Sequence, residues 1–380
     1  MKPNIKIFDT TLRDGEQMPG VVFTPEEKIE LAVKSAEFGC DIIKTMPCVS
    51  KRETLFVKTL SNMGLEAEIS AASPLKRELI DLSISCDVQR IILFTVSSDI
   101  HLKYKLKISR EENLSRTLEM IDYVREHGVT LDFAVEDATR ADIEYLTHFI
   151  KQVSKYVDFF LPADTLGCMT PFQTFEFYKK LKRVCKCKLG IHCHNDFGLA
   201  TANVLAALSA GADGFSATFT GIGERAGNAP MEEVCVALKY LCGIDLEVKF
   251  EMLTEICRLV EKYSGVRVQK HKPIIGENAF AHESGIHVDG ILKNPRTYEN
   301  FDPGVVGQKR KILFGKHSGS SGLRHVLKEF NPPEEIVKKL LSEIKEISEK
   351  EKRALSEEEV KNLFLSRCGG GLVGARVEYS

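Results

Sequence analysis

Along the first 270 or so residues, short apolar, β-branched runs alternate with longer stretches whose apolar positions recur at helical spacing. Eight runs read as strands: IKIFDTTL from Ile5, CDIIKTMP from Cys40, LEAEISAA from Leu65, VQRIILFTV from Val88, VTLDFAVEDA from Val129, YVDFFLPADT from Tyr156, CKLGIHCHND from Cys187 and GADGFSATFTGIG from Gly211. Between the first two, TPEEKIELAVKSAEFG puts Ile29, Ala32, Val33 and Ala36 on one helical face, with Thr24 as N-cap and Glu27 three residues on as its reciprocal partner. Eight strand–helix alternations read as a parallel sheet predict a (β/α)8 TIM barrel. An open doubly wound sheet is the alternative, because periodicity does not register closure.

From about residue 271 the texture changes. Loop signals (HKPIIGEN, KNPRTYENFDPG, GKHSGSSG) lead into a charged helical tail, NPPEEIVKKLLSEIKEISEKEKRALSEEEVKNLFL, whose Ile336, Leu340, Leu341 and Ile344 form one apolar stripe suited to docking. The expected organisation is a catalytic barrel over residues 1–275 and a small, mostly helical C-terminal module over residues 276–380.

Composition narrows the function classes. With 52 Lys+Arg against 54 Asp+Glu the 380-residue chain is nearly neutral and has no long one-sign block, so duplex nucleic acid or an anionic membrane is not expected as main partner. Eleven scattered Cys, an odd number, read as reduced thiols. The N-terminal MKPNIKIFDTTLRDGEQ lacks the apolar core of a signal peptide, and no run approaches the roughly 18 apolar residues of a membrane span. The expected location is the cytoplasm.

Candidate chemistry gathers at the C-terminal ends of the strands, where barrels build active sites. In IHCHND, His192 and His194 are two apart on a strand and share a face, an arrangement able to hold a divalent metal. DTTLRDGEQ packs Asp9, Arg13, Asp14, Glu16 and Gln17 after the first strand: an Asp to complete a metal shell, an Arg to stabilise oxyanion charge. Strand five ends on Glu136 and Asp137, and strand six on Asp164 and Thr165. GIGERAGNAP after strand eight offers glycines for tight turns (Gly221, Gly223, Gly227) and the amide oxygen of Asn228 as a further hard ligand. His282 and His287 lie in ENAFAHESGIHVDGILK, a helical context outside the barrel, where a histidine is usually structural unless brought over a site.

The motifs DTTLRDGEQ, HCHNDFGLATAN, GIGERAGN, AHESGIHVDG and GKHSG, in this order from about Ile5 to beyond Gly319, closely resemble the family of 2-isopropylmalate, homocitrate and citramalate synthases. These are metal-dependent barrel enzymes that condense acetyl-CoA with a 2-oxo acid. The resemblance implies that Asp14, His192 and His194 bind a divalent metal (Mg2+ or Mn2+, with Zn2+ also suited), with Asn228 nearby as a fourth protein ligand. It implies that Arg13 and Thr165 contact the oxo acid, with Gln17 adjacent, and that Glu136, His287 and Tyr298 act with Arg13 as catalytic groups. It further implies a homodimer with shared active sites, in which the C-terminal module serves the neighbouring barrel.

Two positions depart from the family pattern. Where relatives usually carry an acidic residue on strand two, this chain has Lys44 in IIKTMP, and where they often carry an Arg after strand three it has Pro74, with Lys76 and Arg77 just beyond. A lysine at the substrate would pair with a second carboxylate and favour a dicarboxylic oxo acid; alternatively, it points into solvent or a salt bridge. At 380 residues, the amino-acid-binding regulatory domain that the resemblance associates with 2-isopropylmalate and citramalate synthases is not expected. The expected activity is therefore an acyltransferase that makes homocitrate and CoA from 2-oxoglutarate. Alternatives are 2-isopropylmalate, citramalate or citrate synthesis, or a catalytically silent metal-binding homologue. A lyase cleaving a hydroxyacyl-CoA is disfavoured because GENAFAHESG lacks the cysteine such relatives use.

Overall fold

The computed structural model describes residues 5–368, which fall into two compact units, one up to Val268 and one from Gln269. In the first, eight strands appear where the pattern placed them: β1 (Lys6–Asp9), β2 (Ile42–Thr45), β3 (Glu68–Pro74), β4 (Arg90–Val96), β5 (Thr130–Glu136), β6 (Phe159–Asp164), β7 (Lys188–Cys193) and β8 (Gly214–Ala217). Each pairs in parallel with the next, and β1 pairs with β8, Lys6 opposite Gly214 through Asp9 opposite Ala217. That last ladder closes the barrel and rules out the open sheet.

Alternation along the strands sorts side chains between the barrel interior and the helical shell. Phe8, Ile42, Ala72, Ile92, Phe159 and Leu161 form one buried interior cluster, and the Phe8 and Phe159 rings meet edge to face at 5.0 Å. These two rings take the room that β7 and β8 leave by using glycine. A Cβ on Gly190 would stand 3.0 Å from Leu161 Cγ, and one on Gly214 2.8 Å from the Lys6 carbonyl. Deeper in the barrel, Arg90 bonds the fully buried Asp132 at 2.7 Å and reaches Glu68 and Asp158. The helix Pro25–Phe38 carries the predicted capping box, Thr24 and Glu27 bonding each other's backbone, and ends at Gly39 with φ 111°.

In the second unit, β9 (Ala281–His282) pairs in parallel with β10 (Lys311–Ile312), and helices 285–293, 320–326, 334–351 and 357–368 pack around Val288, Phe314, Leu323, Val337, Leu340 and Ile344. Ile336 and Leu341 lie against this core, so the tail's apolar stripe docks within its own unit. One detail differs from the sequence reading: His282 sits on a short strand rather than a helix. The tail is helical as expected, and is two helices. The break comes at Lys352, which takes a left-handed φ of 53°, and Ser356 and Glu359 cap the next helix by bonding each other's backbone N–H.

Candidate active site

The C-terminal mouth of the barrel opens into a cavity of about 340 Å3. Arg13, Asp14, Gln17, Lys44, Glu136, Thr165, His192 and His194 all line it, so eight of the positions singled out in the sequence come together in one space. Asn228 is wholly buried beside Asp14.

Backbone geometry places the central groups. Asp14 precedes a short 3-10 turn, Gly15–Gln17, that follows β1; His192 follows Gly190 on the inward face of β7, and His194 comes just past the strand's end, bridged to Asn228. Asp14 Oδ2 lies 3.6 Å from His192 Nε2 and 4.0 Å from His194 Nε2, and the two imidazoles stand perpendicular with centroids 5.1 Å apart. Asp14 also accepts from Arg13 Nη1 (2.6 Å) and Asn228 Nδ2 (2.9 Å). The Asn228 loop is built on glycine. Gly227 has φ 88°, and a Cβ there would fall 1.9 Å from the Gly221 carbonyl oxygen.

Electrostatics favour a cation at this point. Burial alone would raise the Asp14 carboxyl, but the Arg13 guanidinium and the two imidazoles outweigh it and hold the group well below the usual carboxylate range. Burial keeps His192 neutral, the state in which imidazole ligates. His192 Nδ1 is 3.3 Å from Ser216 Oγ, a contact that orients the ring. Asp14, His192 and His194 form a group able to hold a metal ion, with one ligand atom from each all within 4.8 Å of one another. Asn228 Oδ1, buried and without a hydrogen-bond partner among the described residues, is the kind of hard acceptor such an ion or its water would use. The donor set therefore fits a divalent cation.

Lys44 lies inside the cavity, not in solvent. Ile42 and Lys44 alternate onto the inward face of β2, with Met46 just past its end, and the Lys44 ammonium stands 4.9 Å over the Phe8 ring. Desolvation, with the neighbouring Arg13 charge, lowers its pKa to about 7 against the pull of Asp132 and Asp14. Arg13 Nε is also buried without an acceptor among the described residues, leaving a second donor at the cavity wall. Pro74 ends β3, and Arg77 points to Glu119 on the outer surface.

Other polar residues at the strand ends turn out to be scaffolding. Asp9 is buried and accepts from the Thr11 N–H and hydroxyl, Glu16 binds Lys28, and Asp164 takes the Thr139 hydroxyl and the Cys168 N–H. Asp137 is clamped by Arg140, while its N–H donates to Thr165 Oγ1 at 2.8 Å. Several cavity groups escaped the sequence reading. Lys105, in a π-turn after β4, pairs with Glu136, with His101 Nδ1 3.9 Å from the same carboxylate. Arg225 grips Asp196 at 2.8 and 3.0 Å and donates to the Thr165 carbonyl. The basic run HLKYKLK directly after a strand was the available signal for Lys105.

In the second unit, His287 and Tyr298 stack with centroids 4.1 Å apart, and both are exposed. The residue after Tyr298, Glu299, is buried and held by Arg310 at 2.7 and 2.6 Å, with His282 Nε2 at 3.4 Å. His287 and Tyr298 thus form one exposed pair beside a rigid ionic anchor.

Residues 4–260 match the HMGL-like family, and residues 274–352 match the homocitrate synthase post-HMGL domain-like family. The chain belongs to the HMGL-like family. Among curated relatives, it is 44% identical to the homocitrate synthase AksA of Methanopyrus kandleri over 95% of this chain and 93% of that one. It is 45% identical to a probable 2-isopropylmalate synthase of the same organism, over 93% of this chain and 71% of that one. A Bacillus subtilis HMG-CoA lyase structure superposes with TM-score 0.63 at 19% identity, covering 69% of this chain and 94% of that one, which supports the barrel fold. This HMGL-like chain is a homocitrate-synthase-like acyltransferase. Among the described residues no helix is long and apolar enough to cross a membrane.

Proposed function

We propose that the enzyme condenses acetyl-CoA with a dicarboxylic 2-oxo acid, 2-oxoglutarate, to give homocitrate and CoA. Near-equal identity to enzymes of two different names does not choose the substrate. The observation that carries the reading is Lys44, a buried lysine on the wall of the cavity whose ammonium meets the Phe8 ring and makes no carboxylate ion pair among the described residues. A desolvated cation is costly unless paired, and the distal carboxylate of 2-oxoglutarate would pair it. The apolar wall of Ala72, Ile92, Ala134 and Leu161 supports a second reading, 2-oxoisovalerate with 2-isopropylmalate as product.

In the proposed mechanism, Asp14, His192 and His194 would hold a divalent cation, Mg2+, Mn2+ or Zn2+, with Asn228 Oδ1 as a further donor. When bound, this ion supplies Lewis acidity at the ketone and carboxylate oxygens of the oxo acid. A base at the mouth would take a proton from the acetyl methyl group, and Arg13, already beside Asp14, would steady the oxyanion that forms on the ketone oxygen as the resulting carbanion-like methylene attacks. Gln17 and Thr165 would fix the acid's orientation from opposite sides of the mouth. Glu136, aimed by Lys105, would act as a catalytic carboxylate there. His287 and Tyr298 would handle proton transfer, supplied to each barrel by the partner subunit of a homodimer. Water then cleaves the thioester and releases CoA.

The test is CoA thiol release from the metal-replete enzyme with acetyl-CoA and a panel of oxo acids: 2-oxoglutarate, oxaloacetate, pyruvate and 2-oxoisovalerate. The highest kcat/KM is expected with 2-oxoglutarate. Turnover of 2-oxoisovalerate with none of 2-oxoglutarate would sink the reading in favour of the second. Silence with every acid would mark a non-catalytic homologue.

A further inference from the structure

At the opposite end of β7 from His192, the chain carries Cys185-Lys186-Cys187, which neither the site nor the proposed mechanism uses. A bend at Lys186 and Cys187 brings the two sulfurs to the same side, and they stand 3.5 Å apart. Both thiols are half-buried, and Cys187 borders an open depression rimmed by Lys155, Lys182, Lys186 and Lys188, with Asp158 and Asp213.

We infer that Cys185 and Cys187 form a redox-active dithiol that closes to an intrachain disulfide by exchange with a small-molecule disulfide. The geometry supplies both partners of the exchange. The sulfurs have about 1.5 Å to travel to reach the roughly 2.05 Å of a disulfide. The exposed backbone bend lets them travel without moving the interior ladder. The chain brings no other two described cysteine sulfurs into hydrogen-bond contact.

Electrostatics assign the roles. The hydrogen-bond contact between the two thiols is the largest influence on Cys185 and lowers its pKa to about 7; the same contact pushes Cys187 up. The thiols of Cys40, Cys48, Cys86, Cys168, Cys193 and Cys235 all shift upward through burial. Cys185 is therefore the attacking thiolate and Cys187 the resolving thiol. In the first step Cys185 S− attacks RS–SR, forming a protein–SR mixed disulfide and releasing RS−. In the second, Cys187 loses its proton to solvent and attacks Cys185 Sγ, expelling the second RS−. Two protein thiols are oxidised and one small disulfide is reduced to two thiols. A ring closed over a single intervening residue is strained and hence reducible by monothiols, so the pair cycles instead of serving as a permanent staple.

The experiment uses the full reduced chain equilibrated in oxidised and reduced glutathione, acid-quenched, alkylated and digested so that residues 185–187 stay in one peptide. Wild type is expected to yield a peptide that has lost two hydrogens and resists alkylation, in proportion to the glutathione ratio. Cys187→Ser should stop at glutathione on Cys185. At pH 7 Cys185 should react several-fold faster than the exposed Cys168, whose thiol burial raises, its larger thiolate fraction outweighing its lower intrinsic nucleophilicity. Glutathione on Cys168 or Cys242 with Cys185 and Cys187 still fully alkylated would overturn the inference. So would an equal yield of mixed disulfide from wild type and Cys187→Ser.

Discussion

Replacing Lys44 by Met tests the substrate pocket and its stability cost in one variant. Lys44 has a folded pKa of about 7, against an unfolded lysine near 10.4, so the folded state binds its proton more weakly than the unfolded chain does. The penalty is complete below pH 7 and fades as pH rises towards 10.4, so wild-type stability should climb across that window. At 1.36 kcal/mol per pH unit this is about 5 kcal/mol at pH 6 and about 2 kcal/mol at pH 9. The attractions to Asp132 and Asp14 are already contained in that value. Lys44→Met, nearly isosteric and uncharged, should therefore be more stable than wild type. At roughly 0.8 kcal/mol/K of unfolding entropy for a chain of this length, the rise in Tm is about 6 °C at pH 6 and less than half that at pH 9. Thermal scans of both proteins in chelator would measure it. The same variant should lose roughly 100-fold in kcat/KM with 2-oxoglutarate, the cost of leaving a desolvated carboxylate unpaired, while turnover of 2-oxoisovalerate is kept or gained. A Tm difference that does not depend on pH would refute the buried-charge reasoning. Unchanged 2-oxoglutarate kinetics would refute the pairing.

Three further outcomes are expected. His194→Ala should abolish activity and stoichiometric binding of Mn2+ or Zn2+, read by equilibrium dialysis, with an unchanged far-UV spectrum; full metal binding would remove His194 from the ligand set. Mixing inactive Arg13→Ala with inactive His287→Ala should restore part of the activity if sites are shared in a homodimer, and no recovery in verified heterodimers would place each site within one chain. Arg90→Met should destabilise the barrel by about 3–5 kcal/mol in urea titrations, because it strands the Asp132 carboxyl, which burial already raises to about 6; a loss under 1 kcal/mol would show that the pair is not what holds the barrel's lower interior.

What was legible in the sequence, and what was not, divides along physical lines. The barrel could be read because each of its eight strands is short, apolar and followed by a longer stretch of helical spacing, and parallel neighbours need only that local alternation. Closure could not, since the β1–β8 ladder joins residues some 208 apart, as Lys6 and Gly214 show, and no local period encodes it. The same rule governs the site. His192 and His194 declared themselves because spacing of two on a strand fixes a shared face, and Lys44 could have been placed by the same logic, since it alternates with Ile42 and Met46. Glu136 and Asp137 are adjacent and chemically alike, yet one faces the cavity and the other is clamped by Arg140. The strand period separates them, because Glu136 shares the inward face of Asp132 and Ala134. Asp9 and Asp164 were illegible for a different reason. Their strand-end positions suit catalysis and turn-making equally, and only the hydrogen bonds to Thr11 and Cys168 reveal that both are spent on backbone. The metal group survives this sorting because Asp14 is the one acidic residue of the first loop whose buried carboxylate meets two imidazoles instead of a turn, so its charge is left for a ligand to complete.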